Sequence, residues 1–321
     1  MAGFEVNTNE HLIRSTLWSE QLKELLMDEL IAMKYVRMLN VPSDAGSSTI
    51  NIPSLGEAEQ QDFVEGGRVR YNRFDTGNYQ FTFDQYKYSA NSISEKYKRD
   101  SFYSSEVIAA FLPRQHRALM VGVESRILSV GNAGQTASSL NTINGGDHRW
   151  VGSGTNETIG LKDFARAQYS LKKANVPMTN LVAIVDPSVV YTLQTQANLV
   201  SLMSPNPQWG PMVSNVSPTG MKFEMNVYGF DIYSSNYLPR GIAETVNGLS
   251  TTVGVANYLF SAAPGDTLPF IGAFRQMPTV YSEFNKDTQE TEYMTITEYG
   301  FKGDYRPENL ITILTDTDQI V

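Results

Sequence analysis

The sequence of 321 residues contains no cysteine and only three histidines. Without thiols the chain can form neither a disulfide nor a thiolate zinc site, so its folding does not depend on the redox compartment, and an intracellular site of folding is the simpler expectation. His11, His116 and His148 lie far apart in the sequence and show no HExxH or HxH spacing. We therefore expect no metal site and no cofactor.

Long apolar runs and basic charge are also scarce. No hydrophobic stretch approaches the ~18 residues that a membrane span needs. The first residues, MAGFEVNTNEH, lack the basic and then apolar pattern of a signal peptide. We therefore expect a soluble chain that does not associate with a membrane. The formal net charge of −9 argues against a general nucleic-acid binder, because phosphate neutralisation needs clustered lysine and arginine.

Catalytic motifs are nearly absent too. Asp75-Thr76-Gly77 echoes the aspartic-protease signature, but that chemistry needs two such loops, or a dimer, with an apolar strand before and a small residue after. Here Arg73 precedes and Asn78 follows. There is no P-loop, no G-x-S-x-G elbow and no dinucleotide-binding glycine pattern after a predicted strand. Carboxylates such as Asp84, Glu95 and Glu298 could pair, although salt bridges are their commoner use. We therefore expect no enzyme, with a carboxylate-dependent hydrolase kept as an alternative.

The most strongly patterned stretch is 100–130, which predicts a long helix. Asp100 and Ser101 are candidate N-caps, and the apolar residues keep to one broad face. Pro113 should bend or break the helix in its middle, because it lacks an N–H and clashes with the preceding turn. Gly131 should end it. Such a helix is about 45 Å long, so we expect other elements to be arranged along it.

Ahead of that helix the sequence predicts an arm with a helix of its own. Residues 1–14 are polar and without pattern, which is typical of an arm that is ordered only when something docks on it. An amphipathic helix should run between Ser15 and Leu39, with Trp18 and Leu22 on its apolar stripe. The stripe could pack on the core of the chain itself or contact a partner subunit.

In the segment from 50 to 94, apolar and polar residues alternate in runs that are separated by turn signals at 66–67 and 75–78. This pattern predicts strands. The aliphatic residues of the segment are few, and a two-stranded ribbon with so little to bury is marginal alone. We infer that the ribbon projects and rests on another chain. Its charges either keep a solvated hairpin soluble or set register with a partner. They form an acidic leg followed by a basic one: Glu57, Glu59, Asp62 and Glu65, then Arg68, Arg70 and Arg73.

The second half of the chain predicts a mixture of helices and strands. A long polar loop at 131–160 contains Asn144-Gly145, a tight-turn signal. The other expected elements are helices at 161–174 and from 186 to about 196, a buried strand at 181–185, an irregular loop at 198–220, strands at 222–225, 230–234 and 257–262, a long hairpin at 270–284 and 290–299, and a last strand at 310–314.

The order of these parts resembles the major capsid (coat) protein fold of tailed double-stranded DNA bacteriophages, closest to short-tailed T7-like phages and cyanophages. The resemblance covers nearly the whole chain. The strings that carry it are Ile50-Asn51-Ile52-Pro53, Val64-Glu65-Gly66, Tyr86-Lys87-Tyr88-Ser89-Ala90 leading to Asp100-Ser101, Val185-Asp186-Pro187, Val227-Tyr228-Gly229-Phe230, and Tyr299-Gly300-Phe301 with Arg306-Pro307.

This resemblance implies an α+β fold with named parts. They are an N-arm with a helix at 1–48, an extended β-ribbon (E-loop) at 49–98, a P-domain at 99–178 and 271–300 with the long spine helix and the late hairpin, and an A-domain at 179–270 and 301–321. Contacts between subunits would then involve the ribbon charges named above together with Trp18 and Leu22.

The resemblance also implies a function and a set of partners. The chain would be a structural subunit that assembles into homo-hexamers and homo-pentamers, and these close an icosahedral capsid around double-stranded DNA without sequence-specific binding. It would assemble in the host cytoplasm and end in the virion. No long cleavable N-terminal scaffolding segment is evident, so we expect a separate scaffolding protein, besides a portal and a decoration protein as candidate partners. No residues for a covalent crosslink are identified, so cohesion should be noncovalent.

Two alternatives from neighbouring classes remain open at this stage. A cellular nanocompartment shell could share the same fold, and it would enclose a cargo enzyme rather than a phage genome. A phage tail or adhesion protein would instead show threefold symmetry.

Reversing Arg68, Arg70 and Arg73 to glutamate should impair assembly more than it lowers the melting temperature of the free subunit. The reason is that ordered charge sets register and specificity more than stability. Shell yield by negative-stain microscopy and thermal unfolding of the isolated subunit are the two measurements. Equal loss of both would refute a docking role for the ribbon.

Overall fold

A computed structural model describes most of the chain. The described residues are 30–41, 48–55, 62, 65, 68, 76–100, 104–154, 157–195, 213–214 and 223–316. The predicted arm, most of the helix that follows it and most of the loop at 198–220 lie outside these residues.

The described residues form four α-helices, two 3-10 helices and fourteen strands. The helices are α1 (Glu95–Asp100), α2 (Ser104–Ala133), α3 (Leu161–Lys173) and α4 (Pro187–Thr195), with short 3-10 helices at Ala32–Tyr35 and Pro307–Asn309. The strands are β1 (Val36–Met38), β2 (Thr49–Leu55), β3 (Thr76–Thr82), β4 (Gln85–Ser94), β5 (Arg149–Val151), β6 (Leu181–Val185), β7 (Val213–Ser214), β8 (Phe223–Val227), β9 (Phe230–Ser234), β10 (Ile242–Val246), β11 (Leu249–Ser261), β12 (Phe270–Asn285), β13 (Glu290–Lys302) and β14 (Ile311–Asp316).

Within the described residues the strands form three sheets. A four-stranded sheet has the order β1-β12-β13-β4 and is built around the long antiparallel hairpin β12–β13. A mixed eight-stranded sheet has the order β5-β14-β11-β6-β9-β8-β7, with β10 paired to β11. Strands β2 and β3 form a separate antiparallel ribbon. The fold class is therefore α+β, as the sequence predicts.

The eight-stranded sheet has both of its faces covered. Along β6, Val182 and Ile184 pack into a cluster with helix α2 and the four-stranded sheet, while Leu181, Ala183 and Val185 pack into a second cluster with α3 and α4. This explains why β6 reads as an unbroken apolar run rather than an alternating one.

Helix α2 is continuous over 30 residues, which at 1.5 Å per residue gives about 45 Å. Of the predicted bend or break at Pro113, the break does not occur, since the helix continues through Pro113. Directly beyond it, Gln115 Nε2 donates to the carbonyl of Tyr293 at 3.3 Å and Gln115 Oε1 accepts from Thr295 Oγ1 at 3.1 Å, so β13 supports the helix there. The prediction that Gly131 ends the helix is wrong, because it ends at Ala133.

Gly131 is required for packing rather than for a cap. A Cβ at this position would lie 3.0 Å from ring atoms of both Phe270 and Tyr258. Phe270 begins β12 and Tyr258 belongs to β11, so the absence of a side chain lets both sheets approach the same point on α2.

The N-terminal helix prediction fails at its C-terminal end. Instead of helix up to Leu39, the chain makes a 3-10 turn and then strand β1, which pairs parallel with the start of β12. The prediction of a turn at 75–78 is also wrong for the residues described, because Thr76, Gly77 and Asn78 belong to strand β3. In both cases pairing with a distant strand overrides the local signal.

Other predictions are confirmed closely. The tight turn at Asn144-Gly145 has φ values of 50° and 79°. Strands β6 and β9 and the β12–β13 hairpin lie where expected, and the Ser188 backbone N–H donates to Asp186 Oδ2 at 3.0 Å at the start of α4. Strands β5, β7 and β10 are additions that the sequence pattern did not indicate.

Replacing Gly300 with alanine should destabilise the fold at the base of the ribbon. A Cβ there would lie 2.4 Å from the Thr82 carbonyl oxygen, so β3 would have to move away from β13. We expect a loss of about 1–3 kcal/mol in the free energy of unfolding, measured by chemical denaturation.

The matched control is Gly122→Ala on helix α2, where nothing lies within 4 Å of the added Cβ. Because alanine favours helix, this change should leave stability unchanged or raise it by up to about 1 kcal/mol. Equal destabilisation by both substitutions would contradict the steric argument.

Candidate interaction surfaces

The predicted ribbon contacts are only partly within the described residues. Asp62, Glu65 and Arg68 are described, and all three are exposed. The other predicted contact residues lie outside the described part of the chain: Trp18, Leu22, Glu57, Glu59, Arg70 and Arg73. The arrangement of acidic and basic legs therefore stays a prediction.

The base of the ribbon rests on its own chain. Phe81 in β3 is fully buried and packs against Ile271 and Ala273 of β12. The Tyr79 hydroxyl donates to Asp304 Oδ1 at 2.6 Å, and burial together with this hydrogen bond raises the pKa of Tyr79. The inference that the ribbon rests on another chain therefore needs correction at this end. Away from the base, Thr76–Asn78 are exposed.

A cluster of charged and aromatic side chains joins the ribbon base to the segment that contains β1. The Tyr305 ring lies 5.5 Å from the Tyr79 ring between centroids and 5.2 Å from the Arg37 guanidinium carbon. The Tyr305 hydroxyl donates to Asp266 Oδ2 at 2.8 Å, and Arg37 forms an ion pair with the same carboxylate. Burial opposes ionisation of Asp266, but these partners outweigh it and lower its pKa.

Glu124 on helix α2 anchors the same segment from the other side. Its carboxylate is almost fully buried, and Oε1 accepts hydrogen bonds from the backbone N–H groups of Ile31 and Ala32, each at 2.9 Å. These N–H groups begin the 3-10 turn, where no intrahelical partner exists. Glu124 therefore fixes the start of the 3-10 turn against α2. Its sequence neighbourhood gives no signal of this role, since its partners are more than 90 positions away.

A buried ion pair fixes the far end of α2. Arg149 and Glu244 are 1% and 4% exposed and join through two hydrogen bonds, Nε to Oε1 at 2.9 Å and Nη2 to Oε2 at 2.7 Å. The hydrogen bond from Arg149 lowers the pKa of Glu244. Arg149 Nη2 also donates to Asn132 Oδ1 at 2.8 Å, so the pair links β5, β10 and the end of α2. The charged groups of Arg149 and Glu244 are hydrogen-bonded within the protein, as in a structural ion pair.

One face of the four-stranded sheet is exposed and apolar. The register places Tyr281, Met294 and Ala90 side by side on β12, β13 and β4, and Tyr88 beside Ile296. Tyr88 is 67% exposed and Tyr281 is 50% exposed. The opposite face carries the buried Thr295 and Thr297 and packs on α2. An exposed apolar face of this kind is a candidate contact surface.

The histidines do not gather in the described structure. His116 is exposed on α2, whereas His148 is buried with its ring nitrogens against the carbonyl oxygens of Gly146 and Glu308. Among the described residues no three histidine, aspartate or glutamate side chains are placed to hold a metal ion. In the same residues no helix is long and apolar enough to cross a membrane.

Comparison with known proteins identifies the fold. No family model and no curated protein matches the sequence. Among solved structures, the capsid structure of cyanophage P-SCSP1u matches with a TM-score of 0.72 at 15% identity, covering 97% of this chain and 94% of that one. The chain has the tailed-phage major capsid protein fold.

Two further capsid structures give the same result. The cyanophage Pam1 capsid matches with a TM-score of 0.68 at 12% identity and covers 99% of this chain and 100% of the other. The capsid of Ralstonia phage GP4 matches with a TM-score of 0.64 at 10% identity and 98% coverage of both chains. The expected capsid-protein fold is therefore confirmed over nearly the whole chain, while identities this low make the likeness one of fold.

Replacing Glu124 should loosen the anchored segment of this capsid-protein fold. Glu124→Gln keeps one acceptor oxygen, whereas Glu124→Leu leaves both the Ile31 and Ala32 N–H groups unpaired. Because a buried unpaired donor costs about 1–3 kcal/mol, the leucine variant should lose more stability than the glutamine variant.

Chemical denaturation measures that loss, and hydrogen exchange should show faster exchange at the amides of residues 31 and 32. Ser125→Ala is the matched control, since Ser125 is the next residue on α2 and is exposed. Unchanged exchange at residues 31 and 32 in the leucine variant would contradict the anchoring role.

Proposed function

We propose that this chain is the structural subunit of an icosahedral phage capsid and assembles as hexamers and pentamers that enclose double-stranded DNA. The observation that carries the proposal is the fold likeness to capsid structures, which spans 97% of the chain for cyanophage P-SCSP1u and 99% for cyanophage Pam1.

The geometry of the described residues supports a subunit that completes itself through neighbours. The ribbon is held at its base by Phe81 and is exposed at Thr76–Asn78. We assign residues 1–48 as the N-arm and 49–98 as the E-loop, whose ribbon β2–β3 reaches over the neighbouring subunit while β4 joins the four-stranded sheet. The P-domain is then 99–178 and 271–300, and the A-domain is 179–270 and 301–321.

The net charge of −9 suits this role. A shell lining that bound DNA tightly would hinder packaging and ejection, so the genome is enclosed without sequence-specific contacts. The partners that follow from the proposal are other copies of the chain, a scaffolding protein during assembly, a portal and a decoration protein. The chain would act as a structural protein rather than an enzyme, and it would assemble in the host cytoplasm and end in the virion.

The test is co-expression of the chain with its candidate scaffolding protein, followed by negative-stain microscopy of the purified product. Closed icosahedral particles with fivefold and sixfold capsomers support the proposal. Particles that enclose a cargo enzyme in place of DNA would favour a nanocompartment shell. A small oligomer or a threefold fibre would overturn the capsid proposal.

Deleting 56–72 from the ribbon should yield soluble subunits that form no shells. The deletion leaves Phe81 and the ribbon base intact, so thermal unfolding of the isolated subunit should stay close to that of the full-length chain. Microscopy of the co-expressed variant measures assembly. Normal particles from this deletion would contradict a role for the ribbon between subunits.

A further inference from the structure

Strand β4 forms one edge of the four-stranded sheet. In the order β1-β12-β13-β4 it pairs only with β13, and no other described strand lies beside it. The pairing runs over ten residues without a register shift. An open strand edge of this length presents a row of backbone donors and acceptors to any extended segment.

The register shows which residues of β4 have their backbone N–H and C=O groups on the open edge of the sheet. The Glu95 backbone N–H donates to the Gln289 carbonyl at 3.0 Å, so the pair formed by these residues is a hydrogen-bonded one. Because such pairs alternate in an antiparallel ladder, the odd-numbered residues of β4 bond to β13. The even-numbered residues therefore have their N–H and C=O groups on the open edge: Tyr86, Tyr88, Ala90, Ser92 and Ser94.

Two other strands of the protein carry features that protect an open edge. The Phe83 N–H donates to the Ser48 carbonyl at 2.9 Å, so by the same alternation the nitrogen of Pro53 in β2 faces away from β3. Proline on an open edge blocks the addition of a strand. Strand β12 contains Pro278 where its register shifts. Strand β4 has neither proline nor bulge, and Lys87 is its one charged residue.

Space for a further strand lies beside the first half of β4. A groove there is lined by Lys87 and Tyr88 of β4 and by small side chains on the flank of helix α2, Ala118, Gly122 and Ser125. These three α2 residues are exposed. Leu119 and Arg126 of α2 also line the groove, and Arg126 is held by its ion pair with Asp84.

We propose that two copies of this chain pair through β4, antiparallel and about a twofold axis at Ala90. This register brings all five outward-facing residues into pairs. It sets the large Tyr88 of each copy opposite the small Ser92 of the other, and Tyr86 opposite Ser94. Lys87 lies diagonally across from Glu95 of the second copy, which is a complementary charge that also pairs with Lys98 of its own chain at 2.8 Å. The two four-stranded sheets become one continuous sheet, and the interface is isologous.

Single-cysteine variants test this register, because the chain has no cysteine of its own. In Ala90→Cys the two Cα atoms should be about 5.5 Å apart, as in a hydrogen-bonded antiparallel pair, which is within the range of about 4.4–6.8 Å that disulfides need. In the control Ser92→Cys the two cysteines are offset by four residues, or about 13 Å.

Oxidation of purified chain and of assembled particles, followed by non-reducing electrophoresis, should give a covalent dimer for Ala90→Cys and none for Ser92→Cys. A mixture of Tyr88→Cys and Ser92→Cys chains should crosslink to each other. Adding Ser92→Pro to Ala90→Cys should abolish the dimer without lowering the unfolding midpoint appreciably, since this nitrogen faces the open edge.

A folded Ala90→Cys protein with a reactive thiol and no dimer would overturn the pairing. Equal crosslinking of Ala90→Cys and Ser92→Cys would also overturn it. So would a crosslink that Ala90→Cys forms only with a Gln80→Cys chain, because β3 of another copy would then lie beside this edge instead of β4. Shells that form while Ala90→Cys stays monomeric would leave the capsid proposal standing. A crosslinked dimer from a chain that forms no shells would support the pairing and not the capsid.

Discussion

The close contact of Gly131 with the rings of Tyr258 and Phe270 is the constraint on which the rest of this structure depends. Tyr258 belongs to the eight-stranded sheet and Phe270 to the four-stranded one, so the two sheets meet at the same turn of α2. The Tyr258 hydroxyl donates to the Leu128 carbonyl at 2.7 Å, and burial raises the pKa of this tyrosine. The end of the helix thus fixes how the two sheets are placed relative to each other.

Two further segments of the chain are anchored to α2 and to the four-stranded sheet. Glu124 holds the backbone of Ile31 and Ala32 against α2, and Phe81 holds the ribbon base against β12. Both anchors are buried. The two anchors thus fix β1 and the ribbon base to the same body of packed sheets and helix.

The sequence predicted the parts of the fold that follow local pattern. The β12–β13 hairpin, β6 and the turn at Asn144-Gly145 were predicted from an alternating pattern, an unbroken apolar run and an Asn-Gly pair, respectively, and all three signals are local. The resemblance to capsid proteins, which rested on the order of elements, was confirmed for the fold.

The failures have a common physical cause. Pro113 and Gly131 were interpreted by propensity alone, yet β13 supports the helix beyond the first and two aromatic rings require the second. Residues 32–39 were assigned to a helix because no local signal reveals that Glu124 or β12 will take up their backbone groups. The charged ribbon contacts fall mostly outside the described residues, so the structure leaves that part of the prediction open.

The parallel pairing of β1 with β12 has a mechanical consequence. Val36, Arg37 and Met38 run alongside the first residues of β12, and the Leu39 N–H continues the ladder to Gly272 at 2.8 Å. A pull on the preceding segment along the strand axis would load these hydrogen bonds in shear, so they would resist together instead of opening one after another. Tension from the N-terminal side would thus pass directly into the long hairpin.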